Sequence, residues 1–181
     1  NKNLVIELLS DGLGHQNKNP YQSVNYLESH DDYALVDRFR DLFNWDNEAR
    51  IPDEVISRTM IALGLLMVAP GVPLISAGQD ILRHKHGIRN TYLLGDVNAI
   101  DYQLEKTYHL EAEFVRDLIK LRLSQPGARA RESDSGGWKV CSFPTPEDSV
   151  ILFGWESESL NERYLITANT SASEINIELP D

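Results

Sequence analysis

The residues best placed to do chemistry in this 181-residue chain are an adjacent imidazole and carboxylate, His30 and Asp31, followed at once by a second carboxylate, Asp32. Near neutral pH a histidine supplies a donor or an acceptor and an aspartate an ionised acceptor, so such a pair can hold hydroxyl groups. Their setting gives them reach. Residues 23–29 (SVNYLES) carry β-branched and aromatic side chains, with Val24, Tyr26 and Glu28 alternating onto one face, which predicts a strand. His30 and Asp31 then fall at its C-terminal mouth. Taken alone, the two letters also fit a strand-end pair that caps the following helix. His84 and His86 have a metal-like spacing, but no third ligand lies near them in sequence and no metal site is expected.

The elements that must position these residues read as an α/β order. Residues 2–9 suit a short helix and 12–20 (GLGHQNKNP) a loop. Residues 34–43 (ALVDRFRDLF) repeat apolar positions at helical spacing. Pro52, at a first-turn position beside Asp53 and Glu54, opens a longer helix to about Val68, whose second half is apolar around most of its circumference and should be buried. Residues 72–76 (VPLIS) read as a strand covered on both faces, as in a parallel sheet. A polar loop from Gln79 to Gln103 leads to a helix over 108–123, which stops before Pro126-Gly127. Beyond it the texture changes to short alternating segments, 138–143, 150–155, 164–168 and 175–179, separated by turn formers. The expected domains are therefore 1–125 and 126–181, the second a small antiparallel β unit.

Composition limits the partners. With 41% hydrophobic residues the chain can bury a core, and no apolar run is long enough to span a membrane without interruption by Pro70, Gly71 and Pro73. A net charge of -11 without a basic cluster repels phosphate backbones, so neither nucleic acid nor a membrane is an expected partner. The lone Cys141 rules out an internal disulfide and leaves the compartment open. The opening residues, beginning at Asn1, resemble neither a native start nor a signal peptide, so a longer parent is expected.

Two blocks carry a family resemblance. QSVNYLESHDDYALVDRF resembles a signature of the α-amylase superfamily of glycoside hydrolases, closest to its pullulanase- and isoamylase-type debranching enzymes. Asn25, Tyr26, His30, Asp31, Leu35 and Asp37 are in register with it. PGVPLISAGQDILRHKHGIRNTYLLGDVNAIDY resembles the last barrel strand and following loop of the same enzymes through Pro70, Gly71, Pro73, Gly78, Arg83, Asn90, Tyr92, Asp96, Asn98 and Asp101, with Asp80 in place of Glu and Tyr102 in place of Trp.

The resemblance implies that residues 1–125 are the C-terminal part of a (β/α)8 barrel, its seventh and eighth strands with their helices, followed by a small antiparallel β-sandwich-type domain. It implies a retaining α-glucan hydrolase acting on α-1,6 branch linkages. The nucleophile and acid/base would lie upstream, and the chain alone would be inactive. Asp31 would be the third carboxylate, a transition-state stabiliser, with His30, Arg83, Arg89, Asn90 and Asp96 contacting sugars. No cofactor is implied, and the partner is an α-glucan. Trp45 and Trp138 are candidates to stack on sugar rings, Trp138 alternatively being core of the β unit. Asp32 departs from the family's Asn and adds a negative charge near Asp31. The alternatives are an α-1,4-acting amylase or branching enzyme of the same superfamily and, in another class, a non-catalytic glucan-binding or assembly module. Uncovered barrel surfaces would favour self-association.

Overall fold

The computed structural model describes residues 24–43, 50–69, 71–124, 139–143, 145, 147–157 and 162–179. The helix expected over 2–9, the loop over 12–20, Trp45 and Trp138 lie outside the described residues. In chain order the elements are β1 (Val24–Tyr26), α1 (Leu35–Phe43), α2 (Asp53–Val68), β2 (Val72–Leu74), a 3-10 turn (Gln79–Ile81), α3 (Gly95–Asn98), α4 (Gln103–Thr107), α5 (His109–Leu123), and strands β3 (Lys139–Ser142), β4 (Val150–Ser157) and β5 (Glu162–Asn169). β1 pairs with β2 in one sheet, and β3-β4-β5 form another in that order. The described residues divide into two compact units, one taking in Asn25–Met67 and Pro73–Leu121, the other containing Val68–Val72, Arg122 and the three-stranded sheet.

In the first unit, α1 starts where Ala34 offers its carbonyl to the Arg38 N–H at 3.1 Å. Alanine has no polar side chain with which to cap the helix, and the buried first-turn N–H of Leu35 is satisfied instead by the carboxylate of Glu28. Glu28 is buried, while Val24 and Tyr26 on the strand before it are exposed. The single-face alternation expected over 24–28 is thus corrected: the strand ends at Tyr26, and the chain turns Glu28 inward under the helix.

Pro52 stands just outside α2 rather than in its first turn, its carbonyl accepting from the Ile56 N–H at 3.0 Å. The helix buries a stripe of Val55, Ile56, Thr59, Leu63, Leu66 and Met67, while Ile61 and Leu65 are half-buried. The expectation of a second half buried all round is corrected, because the neighbours that cover α2 contact it along this stripe. Toward its N-terminus Val55 and Ile56 pack with Val36 of α1, Ile51, Leu82 and Tyr108. The Tyr108 hydroxyl accepts the Ile51 N–H at 3.3 Å. Farther along, Leu63 and Leu66 pack with Val115 of α5 and with Leu27 and Ile75, the residues that follow the two strands. Full burial of a leucine such as Leu63 contributes about 2 kcal/mol.

β2 was expected to be covered on both faces. Val72 and Leu74 are each 43% exposed, on alternating positions, as are Val24 at 49% and Tyr26 at 59% on β1. Among the described residues these four apolar side chains are exposed, so β2 is not covered on both faces.

In the second unit, Arg122 holds the turn that leads into β2 by donating to the carbonyls of Ala69 (2.8 Å) and Gly71 (2.6 Å). The three-stranded sheet is antiparallel, with Val140↔Trp155 and Phe153↔Ile166 among its pairs. Val150, Ile151, Leu152 and Phe153 are all buried, so the central strand is covered on both faces over this stretch. Gly154 is required by close approach, since a Cβ there would sit 2.5 Å from the Tyr164 carbonyl oxygen on β5. The strand expected over 175–179 is corrected. Ile175 and Ile177 alternate into half-buried positions as a strand would, but the segment joins no ladder among the described residues. It follows a corner in which the Asn169 side chain bonds Ser171 and Ser173 and turns the chain away from β5.

Candidate functional site

The end of β1 leads into a turn, Ser29 to Asp32, whose side chains divide their work. His30 and Asp31 point to solvent, 90% and 73% exposed, with Nε2 and Oδ2 3.5 Å apart. Asp31 does not cap α1, because Glu28 performs that task. Its carboxylate is left open to accept hydrogen bonds from outside the protein.

Asp32 turns the other way. Its backbone is left-handed at φ 60, a conformation costly for a residue with a Cβ and held here by partners on both sides. Its carboxylate receives Arg89 Nε at 2.6 Å and an Arg38 terminal nitrogen at 3.0 Å. Local desolvation pushes the Asp32 carboxyl up, but the hydrogen bond and charge of Arg89, with Arg38 behind it, outweigh that and hold it below its ordinary value. The negative charge that Asp32 adds is therefore taken up by two guanidinium groups. Arg89 also lies over the Tyr33 ring, its guanidinium carbon 5.3 Å from the centroid.

The loop after the 3-10 turn comes back against this corner. Asn90, left-handed at φ 49, accepts the Asp32 N–H on its Oδ1 at 3.1 Å. Lys85 is buried to 1% exposure, and its ammonium donates to the carbonyls of Asp32 at 2.7 Å and His30 at 3.5 Å. Asp37, buried on α1, receives the backbone N–H groups of Lys85 (2.6 Å) and Gly87 (2.8 Å) and so pins the loop to the helix. Gly87 has φ +70, a backbone conformation that favours glycine, and a Cβ there would displace the Arg40 guanidinium.

Of the sequence-predicted site residues, the structure brings His30, Asp31, Arg89 and Asn90 to one corner, through Asp32. It does not bring Arg83 and Asp96 there. Arg83 is half-buried and donates to the Asn98 carbonyl at 3.4 Å, bracing the loop, and Asp96 is exposed on α3. Asn98 ties the same loop by exchanging bonds with Thr91 at 2.5 and 2.7 Å. His84 and His86 meet edge to face, ring centroids 4.7 Å apart; burial, then the neighbouring imidazole, holds His84 below its ordinary pKa. Among the described residues, no group of three His, Cys, Asp or Glu side chains stands close enough to hold a metal ion.

Sequence reasoning assigned no role to Lys85, Glu28 or Asp37. Asp37 was visible as a matched position, whereas Lys85 sits in a run of polar letters that signals only a solvated loop. What the corner offers is an exposed carboxylate and imidazole on a rigid backbone, flanked by arginine and asparagine side chains. That arrangement suits a neutral, hydroxyl-rich ligand.

No family model matches the chain. Among curated proteins it is 34% identical over 115 residues to the pullulanase of Bacillus subtilis (strain 168), covering 63% of this chain and 16% of that protein. It is 28% identical to an isoamylase of Flavobacterium sp, covering 66% of this chain and 18% of that protein. The chain thus spans under a fifth of the length of these relatives. In fold it follows the solved pullulanase of Anoxybacillus sp. LM18-11 in complex with maltotetraose, with a TM-score of 0.83 at 23% identity over 99% of this chain and 26% of that one. The pullulanase of Paenibacillus barengoltzii in complex with maltohexaose and alpha-cyclodextrin gives a TM-score of 0.78 at 22% identity, over 99% and 28% of the two chains. The resemblance to pullulanase- and isoamylase-type debranching glycoside hydrolases, carried in the sequence by two short blocks, is borne out over about two thirds of the chain in sequence.

Proposed function

We propose that this chain is the C-terminal portion of a retaining α-glucan hydrolase that cleaves α-1,6-glucosidic branch linkages, with β1 and β2 as the last two strands of a (β/α)8 barrel and 126–181 as an appended β-sandwich-type domain. The identity to pullulanase and isoamylase supports the debranching reading, and the maltooligosaccharides bound in the solved relatives support an α-glucan as substrate.

One observation carries the site assignment: Asp31 lies open at the end of β1, relieved of helix capping by Glu28, beside the imidazole of His30, while Arg38 and Arg89 pair with Asp32. In this reading Asp31 accepts hydrogen bonds from ring hydroxyls of the sugar at the cleavage point. Those bonds strengthen as positive charge develops on the ring, a gain realised mainly in the transition state. His30 donates to a hydroxyl of the same sugar, and Arg89 and Asn90 contact sugars nearby. Arg83 and Asp96 act farther along the loop. The nucleophile and the acid/base belong to upstream segments, so the 181-residue chain is inert by itself.

The test uses the full-length parent. Asp31→Asn is expected to lower kcat on pullulan by about 100-fold or more while KM changes only a few-fold. Retained turnover would remove Asp31 from this role. Preference for linear α-1,4 glucans over pullulan would replace the bond assignment, and release of reducing ends by the 181-residue chain alone would overturn its dependence on upstream groups.

A further inference from the structure

Resting on that reading, we infer that Lys85 is the positioning residue for Asp31. The Asp31 side chain is 73% exposed, so packing does little to aim it and its direction is set by the backbone that carries it. The peptide planes on both sides of Asp31 are held. Before it, the His30 carbonyl accepts from Lys85 Nζ at 3.5 Å and the Asp31 N–H donates to Ser29 Oγ at 3.3 Å. After it, the Asp32 N–H donates to Asn90 Oδ1 at 3.1 Å, and the peptide that follows is held in turn through the Asp32 carbonyl, which accepts from Lys85 Nζ at 2.7 Å. With both planes fixed, φ and ψ of Asp31 are fixed, and only its side-chain torsions remain free.

Lys85 is the centre of this clamp because one ammonium reaches both carbonyls and is removed from water. A buried cation is costly unless its donors are used, and a purely stabilising lysine gains most by facing a carboxylate. Here the described donors go to the carbonyl of His30, in the peptide before Asp31, and to that of Asp32, one peptide beyond the plane that Asn90 holds. The ammonium is itself held in register by its own backbone, whose N–H is locked onto Asp37 at 2.6 Å. Misplacing a transition-state acceptor by about 1 Å is enough to cost on the order of 100-fold in rate.

The test is a double-mutant cycle in the full-length enzyme on pullulan. Lys85→Met removes both donors, and Lys85→Arg keeps the buried cation. Each is combined with Asp31→Asn, and kcat, KM and Tm are measured. The expected result is a loss of about 100-fold in kcat for Lys85→Met with KM within a few-fold, a smaller loss for Lys85→Arg, and almost no further loss when either is added to Asp31→Asn. Equal proportional losses in the two backgrounds, or a change confined to KM, would overturn the proposal. Should Lys85→Met not fold, Lys85→Arg carries the same cycle. Failure of both to fold would assign Lys85 to stability alone and overturn it too. An Asp31→Asn enzyme as active as the wild type would instead refute the reading of Asp31, a result distinguishable from any outcome at Lys85.

Discussion

Glu28 shows how one carboxylate frees another. It lies buried beneath the start of α1, with one oxygen on the Leu35 N–H and the other without a hydrogen-bond partner among the described residues. Burial pushes its carboxyl above the ordinary glutamate range, although the Leu35 N–H and the charges of Arg83 and Lys85 oppose that rise. A raised folded-state pKa means that the folded chain holds this proton more tightly than the unfolded chain does. Its contribution is fully present below the ordinary glutamate pKa and is lost as pH rises through the raised value. Glu28→Gln keeps an acceptor for the helix and carries no charge. Thermal unfolding of the chain at a series of pH values is expected to show the variant gaining on the wild type from acid to neutral pH and converging with it in acid; a gap of constant size would argue against the assignment. His30 and Asp31 were legible in the sequence because a motif of several letters surrounds them. Lys85 and Glu28 were not, because a charged letter does not say whether the fold removes it from water.

Helices α1 and α5 were legible from apolar spacing and α2 from Pro52 with the acids beside it, all with bounds within a residue or two of those found. The short helix α3 falls inside what reads as one polar loop and α4 between that loop and α5, because a single turn of helix offers no periodicity to detect. The 175–179 segment shows the converse, since alternation is a property of one segment and a strand needs a neighbour to pair with. Between α1 and the loop, the Asp37 carboxylate is the fastener, accepting two backbone N–H groups in a buried setting. Asp37→Ala is expected to destabilise the chain by about 3 kcal/mol, because two donors lose a charged acceptor. Hydrogen exchange should rise at the amides of Lys85 and Gly87 and stay unchanged in α5. Unchanged protection at Lys85 and Gly87 would show that the loop is held by other means.

At the level of the whole chain, the face carrying Val24, Tyr26, Val72 and Leu74 decides how the molecule behaves in isolation. The sequence signalled these strands as apolar, but which of their side chains stay exposed was not legible, because cover depends on residues distant in the chain. Apolar side chains exposed as these are among the described residues favour association. The isolated chain is therefore expected to self-associate in sedimentation experiments as its concentration rises, and a clean monomer at high concentration would count against this. The clasp at the site has a different consequence, one for inheritance. Lys85 bonds a carbonyl 53 positions earlier in the sequence and Asn90 an N–H 58 positions earlier, so two distant stretches share a single geometry. Mutational drift in one stretch is screened by the other, and chimeras that take the 23–37 segment from one relative and the 71–101 segment from another must exchange both halves of the clasp together.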